Sequence, residues 1–556
     1  MSVTKSEIRP GAYFDSVVLM QLQRSLVALD GVEDAGVVMA TPANLELLAD
    51  SDLLTGEGKA ANPDDLLIVV RADNAKAAEA ALAQVDELMK QRRSSIGQEY
   101  RARSLAGAAK SLPEAEWTLI SVPGRYAADV AQEAMDSGKH VFLYSDNVSL
   151  EDEIKLKQQG VEKGLLVMGP DCGTAIINGI GLGFANRVRR GDIGLVGASG
   201  TGLQAITAGI HNLGGGVSQA IGTGGRDLKS EVAARTMLQG LAYLEADPAT
   251  KVIVLVSKPP AAEVATRLLQ TARHAGKPVV VAFIGYAPPA PAIGNLYFAA
   301  GMDDAARLAV ELSQGGAKVD SKAAAPIQGY LRGLFSGGTL ASETLLGLQA
   351  FLSPVFSNVA MRKEQELADP LTSQAHTIVD LGEDVFTVGR LHPMMDNDLR
   401  LRRMQEEAED KEVGLILLDV VLGEGAHADP AKELAPAIAK HKKAHKDLEF
   451  VALVVGTDED PQNLDEQVSA FEKAGAVVLR SVAETVAYVA ARLAAGLPAA
   501  GQPVAAFSEP LAAINVGVES FYESLKAQGA AAMQVDWRPP AGGNEELASI
   551  LAKMRT

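Results

Sequence analysis

The stretch Gly194–Ile206 reads GLVGASGTGLQAI, and its reading decides the fold. An apolar strand ends at Val196, and Gly197-Ala198-Ser199-Gly200-Thr201-Gly202 opens the helix that follows. Glycines in such a turn let backbone approach a ligand closely. The start of a helix offers unpaired N–H donors and a partial positive charge. The stretch fits neither GxxxxGK[ST] nor GxGxxG, so it is not a P-loop or a dinucleotide fingerprint. Alone it would be read as a tight turn with a helix cap. Two further turns of the same kind change that balance: Gly222-Thr223-Gly224-Gly225-Arg226-Asp227, and Gly423-Glu424-Gly425-Ala426-His427-Ala428-Asp429. Each follows an apolar run, so all three are expected at the carboxyl ends of parallel strands, where open α/β sheets bind ligands. The predicted anion-binding residues are Ser199, Gly200, Thr201, Gly224, Gly225, Arg226 and Gly425.

Working outward, strand-like and helix-like patterns alternate at βαβ spacing on both sides of this motif. To its amino-terminal side lie WTLISV, AADVAQEAMDSG, HVFLYSD and LLVMG. To its carboxyl-terminal side lie SQAIGTG, KVIVLVS and PVVVAFI, then, past the linker SQGGAKVDSKAAAPIQG, EVGLILLDVVLG, LEFVALVVGT and AGAVVLRS. The expected class is multidomain α/β. A small ferredoxin- or ACT-like module, or else half of a split Rossmann unit, spans 1–93, and 94–111 reads as a linker. A Rossmann-like segment spans 112–188, and two flavodoxin-like parallel-sheet domains span 189–314 and 328–496. Residues 504–556 read as strand, helix and strand in a docking tail.

Composition excludes several functions. A net charge of −19 argues against a nucleic-acid or anionic-membrane footprint. Aromatics are only 4%, which favours Ala-clad parallel sheets over an aromatic-lined sandwich. Cys172 is the single cysteine, so no intrachain disulfide and no multi-thiolate metal site can form. No metal site is identified. Neither a signal peptide nor an apolar run of about 18 residues is present, so the chain is expected to be cytoplasmic.

The motifs together resemble the CoA-ligase superfamily of succinyl-CoA synthetases, and within it the FdrA family. Residues 121–147 (SVPGRYAADVAQEAMDSGKHVFLYSDN) resemble the CoA-binding domain of the synthetase α subunit. The resemblance implies a CoA site at Val122, Pro123, Ser145, Asp146 and Asn147. LLVMGPDCGTAI is similar to the IGPNC segment of the α subunit, GLVGASGTGLQAI to its phosphate-binding helix, and GTGGRD to the GIGGD turn that follows. The block from HTIVDLGEDVFTVGR to VVLGEGAHADP resembles the β-subunit ligase domain. GRLHPMMD and QVDWRPPAGG are the segments that point to FdrA. Three departures stand out: Gly285–Asn295, where the synthetases carry a phosphohistidine, contains no histidine, the N-terminal glycine turn that grips CoA is not recognisable, and no ATP-grasp domain lies between the halves.

Among single residues, His392 lies beside Arg390 and near Asp396, where it can serve as an acid/base or an anion ligand. His427 opens a helix. His392, Arg390 and His427 are the candidate catalytic residues. His441 and His445 fall in a Lys-rich helix and are read as solvent-facing. Cys172 reads as a buried turn residue before a nucleophile. Arg226 and Asp227 read as a carboxylate clamp or a local ion pair, Lys258 as a pocket cation, and Asp419 as a buried anchor or an active-site carboxylate. The resemblance implies an acyl-CoA synthetase-like or carbamoyl-transferring subunit, with oxalurate/oxamate carbamoyl transfer in purine or allantoin breakdown as the specific case. CoA and phosphate would be its ligands, a small carboxylate or carbamoyl compound its substrate, and partner subunits or an oligomer its setting. The alternative is a non-catalytic scaffold that binds CoA or an anion.

Overall fold

A computed structural model describes residues 2–10, 16–63, 65–94, 101–288, 290–315, 326–388, 390–493 and 501–539. The chain divides into two compact units, Met1–Leu156 with Phe507–Thr556, and Lys157–Ala506.

The first unit begins with β1 (Val3–Arg9), α1 (Ser16–Val27), β2 (Val32–Met39), α2 (Pro42–Asp50), β3 (Leu66–Ala72), α3 (Ala75–Ala83) and α4 (Val85–Ser94). The three strands form an antiparallel sheet in the order β1-β3-β2. The continuous apolar run of β3 fits its central place: Ile68 and Val70 pack into one cluster, Leu67 and Val69 into another on the opposite face. β1 was not read from sequence, because VTKSEIR mixes charged residues into its alternation. The segment taken as a linker at 94–111 contains α5 (Leu105–Ser111), capped by Ser104.

Next come β4 (Trp117–Ile120), α6 (Gly124–Asp136), β5 (His140–Leu143) and α7 (Leu150–Lys163). The second unit then supplies β6 (Val167–Met168), β7 (Thr174–Ile177), β8 (Ile180–Gly183), β9 (Arg190–Ala198), α8 (Gly200–Asn212), β10 (Val217–Gly222), α9 (Arg235–Ala246), β11 (Val252–Ser257), α10 (Ala262–Arg273), β12 (Val279–Phe283), β13 (Ala292–Ile293), β14 (Leu296–Phe298) and α11 (Met302–Gly315). Strands β7 to β14 build an eight-stranded sheet in the order β13-β14-β12-β11-β9-β10-β7-β8. Its centre is parallel and fully buried. The hairpin β7–β8 pairs antiparallel with β10, so part of the segment assigned to 112–188 closes one edge of this sheet.

A second sheet of the same unit uses β15 (Tyr330–Phe335), α12 (Gly338–Leu348), β16 (Val355–Ser357), β17 (His376–Asp380), α13 (Asp384–Thr387), α14 (Asp398–Glu409), β18 (Val413–Val421), α15 (Pro430–Ala444), β19 (Glu449–Val455), α16 (Leu464–Lys473), β20 (Val477–Leu479) and α17 (Val482–Arg492). Its order is β16-β17-β15-β18-β19-β20, parallel throughout.

The chain returns to the first unit with β21 (Ala512–Val516), α18 (Glu519–Ala527) and β22 (Ala531–Val535). The strand–helix–strand reading of 504–556 matches these elements, but they are not a free tail. β21 pairs with β4 from Ala513–Trp117 to Val516–Ile120, and β22 pairs with β21. Strands about 400 residues apart thus share one parallel sheet. Sequence periodicity gives no register between segments so distant.

Candidate functional site

Two crevices lie at the carboxyl ends of the two sheets of the second unit. The first is a cavity of about 250 Å³ lined by the GPDCG, GASGTG and GTGG turns together with Lys258. β9 delivers the chain to Ser199, whose Oγ accepts from Gly202 N at 3.2 Å and caps α8. With its oxygen occupied as an acceptor, the hydroxyl proton remains available to a ligand. The N–H groups of Gly200 and Thr201 stand at the uncompensated start of α8, on the cavity wall. Gly224 has φ +83°, and a Cβ there would stand 2.3 Å from Pro170 O. Only glycine fits that position between the two turns. Ser199, Gly200, Thr201, Gly224 and Gly225 therefore line one cavity.

Arg226 does not line the cavity. Its neighbour Asp227 does not pair with it either, but makes a fully buried ion pair with Lys157 at 2.7 Å. Lys157 Nζ also donates to Thr223 O at 2.8 Å, while Asp227 accepts from Met237 N at 2.9 Å at the start of α9. This pair holds the second turn in place. Lys157 was missed because a lysine inside SLEDEIKLKQQG looks like one more solvated charge. Cys172 also touches the cavity, yet burial pushes its thiol up to about 12, so it stays protonated and is no nucleophile at neutral pH.

The second crevice, of about 450 Å³, is lined by Ser336, Gly337, Gly338, Thr339, Leu340, Asp380, Gly382, His392, Met394, Val421 and Val455. β15 ends in Ser336-Gly337, and α12 begins without a side-chain cap. Behind this turn, buried Asp419 accepts from Ser336 N at 2.7 Å and Ser336 Oγ at 3.0 Å, and Arg400 approaches it at 3.3 Å. Burial raises the Asp419 pKa. Asp419 is therefore an anchor. Asp380, at the end of β17, accepts from Gly382 N at 2.9 Å through Oδ1. Burial raises its pKa as well, with the Asp419 charge adding to the effect and the Gly382 hydrogen bond and His392 opposing it. His392 Nδ1 accepts from Met394 N at 3.2 Å, so the proton of the neutral ring sits on Nε2. That atom faces Gly382, where a Cβ would stand 2.8 Å from Nε2 and 3.1 Å from Asp380 Oδ1.

The company of His392 thus differs from the expectation. Arg390 is exposed and lies off the crevice; Asp396 caps its own turn by accepting from Asp398 N at 2.7 Å. Asp380 takes their place. The signal for it was the carboxylate ending a buried apolar strand, the same signal seen in LILLD. His427 and Gly425 line neither crevice. His427 N donates to Met394 O at 2.8 Å, and its Nε2 lies 3.3 Å from Glu433, which braces the His392 turn from behind. The helix after it begins with Pro430, which has no N–H; Ala431 N donates to Gln467 Oε1 at 2.9 Å and Lys432 N to Asp429 at 3.1 Å, so that third turn has no open N-terminus for an anion. His441, expected at the surface, is buried.

The stretch Gly285–Asn295 packs on its own domain: Tyr286 stacks on Phe298 at 6.1 Å and meets Phe283 edge-on. In the first unit, Ser145 Oγ donates to Val122 O at 2.5 Å, and Gly124 Cα seats against Asp146 O. Val122 and Ser145 are buried, while Asp146 and Asn147 are exposed.

Three family models match the chain: "AllF, heavy metal-associated domain" over residues 1–104, "CoA binding domain" over 188–285 and "CoA-ligase" over 334–492. The uncharacterized protein YahF of Escherichia coli K12 is 44% identical over 504 residues, covering 87% of this chain and 97% of YahF. The chain belongs to the FdrA-like CoA-ligase superfamily. Within that superfamily, the α 2 subunit of an ADP-forming succinate–CoA ligase from Archaeoglobus fulgidus is 31% identical over 33% of this chain and 63% of the subunit. Among solved structures, the apo dinucleotide-forming acetyl-coenzyme A synthetase 1 of Ca. Korarchaeum cryptofilum shares 16% identity. It covers 68% of this chain and 82% of its own, with a TM-score of 0.27, too low to carry further argument. The CoA-binding model falls on the first crevice's domain rather than on 112–188, and the ligase model on the second. The first module carries the heavy-metal name, yet residues 1–104 hold no cysteine. Among the described residues no cluster of three or more His, Cys, Asp or Glu side chains is placed to hold a metal. None of the described helices is long and apolar enough to cross a membrane.

Proposed function

We propose that the chain is the phosphate-handling subunit of a group-transfer enzyme, moving an acyl or carbamoyl group between a small acid and phosphate. One observation carries the reading: two glycine turns, the open start of α8 and Lys258 converge on a single cavity at a sheet's carboxyl end. A phosphate there would take N–H bonds from Gly200 and Thr201, hydroxyl bonds from Ser199 and Thr201, and charge from Lys258. Such preorganised donors favour a state in which charge builds on oxygen. The loop at Gly285–Asn295 lacks a histidine, so the group passes directly between phosphate and substrate. The FdrA resemblance supplies the specific pair, oxalurate with oxamate as the released acid. It also supplies the cytoplasmic setting, partner subunits and a CoA contact through the exposed Asp146 and Asn147.

The test incubates the purified chain, alone and with purified partner subunits, with oxalurate and inorganic phosphate, and assays carbamoyl phosphate. A parallel reaction assays thioester from succinate, ATP and CoA. Carbamoyl phosphate formation that falls at least tenfold in Lys258→Met and Thr201→Val is the expected result. Thioester alone, or no product in either reaction with every subunit present, overturns it. The second outcome favours a scaffold, a reading supported by the absence of any acid–base residue other than Asp171 among the charged groups of the first cavity.

A further inference from the structure

A third cavity, of about 780 Å³, lies on the same sheet edge as the first. Its walls are apolar, with Phe283, Ile284, Tyr286, Pro291, Phe298 and Met302 in the lining. Ile284 is half exposed at its rim. Asp304 is the one charged side chain among the described lining residues, and it is engaged. Its Oδ2 accepts from Ala300 N at 2.9 Å and its Oδ1 from Arg307, which lies off the lining. Burial pushes the Tyr286 phenol up to about 12, so its ring stays neutral at physiological pH. A concave, ring-lined space of this kind suits an uncharged apolar group.

Its position says what such a group would belong to. β11 and β12 are adjacent and parallel, Ser257 pairs with Phe283, and Ile284 N donates to Ser257 O at 3.0 Å. The residue after Ser257 is Lys258, which lines the first cavity; the residue after Phe283 is Ile284, which lines the third. Gly285 seats against Pro259, where a Cβ would stand 3.5 Å from the proline ring. An anion seat and an apolar seat are thus neighbours at two adjacent strand ends. The first cavity, at about 250 Å³, falls short of the roughly 300 Å³ at which small-molecule sites begin. It has room for an anionic head, and whatever is attached to that head must extend beyond it. Charge then fixes the orientation. Lys258 and the open start of α8 draw a carboxylate to the first cavity. The first turn of α11 carries Asp303 and Asp304, which turn a carboxylate away from the third.

We propose that the third cavity seats the apolar body of a monocarboxylic acid whose carboxylate lies in the first. The class is an acid with a branched or aromatic group, of which phenylacetate is a simple probe. That this acid takes part in transfer to or from phosphate rests on the group-transfer reading, whereas its binding rests on the paired seats.

Titration of the full chain with acetate, butyrate and phenylacetate, followed by ligand-observed NMR, gives Kd for one head on three bodies. Kd should fall about fourfold per buried methylene, and phenylacetate should bind at least tenfold tighter than acetate. Ile284→Ser and Ala300→Trp alter exposed lining positions; one removes apolar wall and the other fills the space. Both should cut the gain of phenylacetate over acetate, Ala300→Trp to less than twofold, and leave acetate unchanged. Lys258→Met should weaken every acid by a similar factor and preserve the gain. The proposal is overturned by a flat series, by a gain that survives both lining substitutions, or by absence of phenylacetate binding to the folded chain. Benzyl alcohol binding as tightly as phenylacetate would also overturn it, since the head would then contribute nothing. Inorganic phosphate, titrated by calorimetry, tests the group-transfer reading separately. Phosphate binding with a flat acid series sinks this proposal alone; the expected gain without phosphate binding sinks only the other.

Discussion

The two crevices are built on one plan and differ in the side chains that line them. Each sits at the carboxyl end of a parallel sheet, where a buried strand runs into a small-residue turn and an uncapped or hydroxyl-capped helix. Each crevice also has a buried cation–carboxylate pair behind one of its turns, Lys157 with Asp227 behind the GTGG turn of the first and Arg400 with Asp419 behind the Ser336-Gly337 turn of the second. The lining then diverges. The first presents Ser199, Thr201 and Lys258; the second presents Asp380, His392 and four apolar side chains. Backbone architecture therefore turns a helix start into a crevice twice, and a few side chains set the charge of each lining.

The buried pairs offer the hardest way to break the comparison. Lys157→Met leaves the Asp227 carboxylate fully buried with only backbone donors, Met237 N at 2.9 Å and Thr236 N at 3.3 Å. Stranding such a charge costs about 3–5 kcal/mol. Arg400→Met leaves Asp419 with shorter bonds, from Ser336 N at 2.7 Å and its Oγ at 3.0 Å. It should cost less, nearer the lower end of that range. Urea unfolding followed by circular dichroism measures both. If Arg400→Met proves the more damaging, the two anchors are not equivalent and the parallel drawn between them fails.

Glycine substitutions separate architecture from ligand space. At Gly224 an added methyl meets the carbonyl of Pro170 at 2.3 Å with φ at +83°. Backbone must move, and Gly224→Ala should lose about 3 kcal/mol and disrupt the first cavity. At Gly338 the methyl meets only the far end of Asp380 at 2.7 Å, with φ outside the left-handed region. Gly338→Ala should cost under about 1 kcal/mol, because alanine is the better helix former. Equal losses in the same unfolding measurement would contradict this division.

Much of this organisation was legible in the sequence, for a physical reason. Strands buried on both faces, such as VIVLVS and LILLD, are continuous apolar runs, and glycine-rich turns after them mark the ligand end of a sheet. What escaped was long-range or hidden inside a familiar pattern. Lys157 sits in a helix full of charges, and nothing local says that this one is fully buried. Asp380 was passed over for Asp396, which is nearer His392 in sequence but spends its side chain on its own turn. The GEGAHADP turn had the right glycines, yet its helix opens on Pro430, which has no N–H, and the next two N–H groups go to Gln467 and Asp429. A cap and a ligand compete for the same N–H groups, and spacing alone does not tell which one takes them.

That competition yields the smallest and finest prediction, at Ser199. The Oγ both caps α8, at 3.2 Å from Gly202 N, and borders the first cavity. Loss of an N-cap hydroxyl costs about 1 kcal/mol, so Ser199→Ala should lower stability by that order. If the hydroxyl only caps the helix, phosphate should bind the alanine variant as well as before, or better, since Gly202 N–H is released toward the cavity. If it also donates to the ligand, Kd for phosphate should rise about fivefold to tenfold, as expected for about 1–1.5 kcal/mol in one lost hydrogen bond. Ser199→Thr, which keeps the hydroxyl, should restore both properties. Phosphate titration of the two variants decides between the roles. The corresponding start of α12 has no side-chain cap at all, so no substitution at Gly337 should imitate this behaviour in the second crevice.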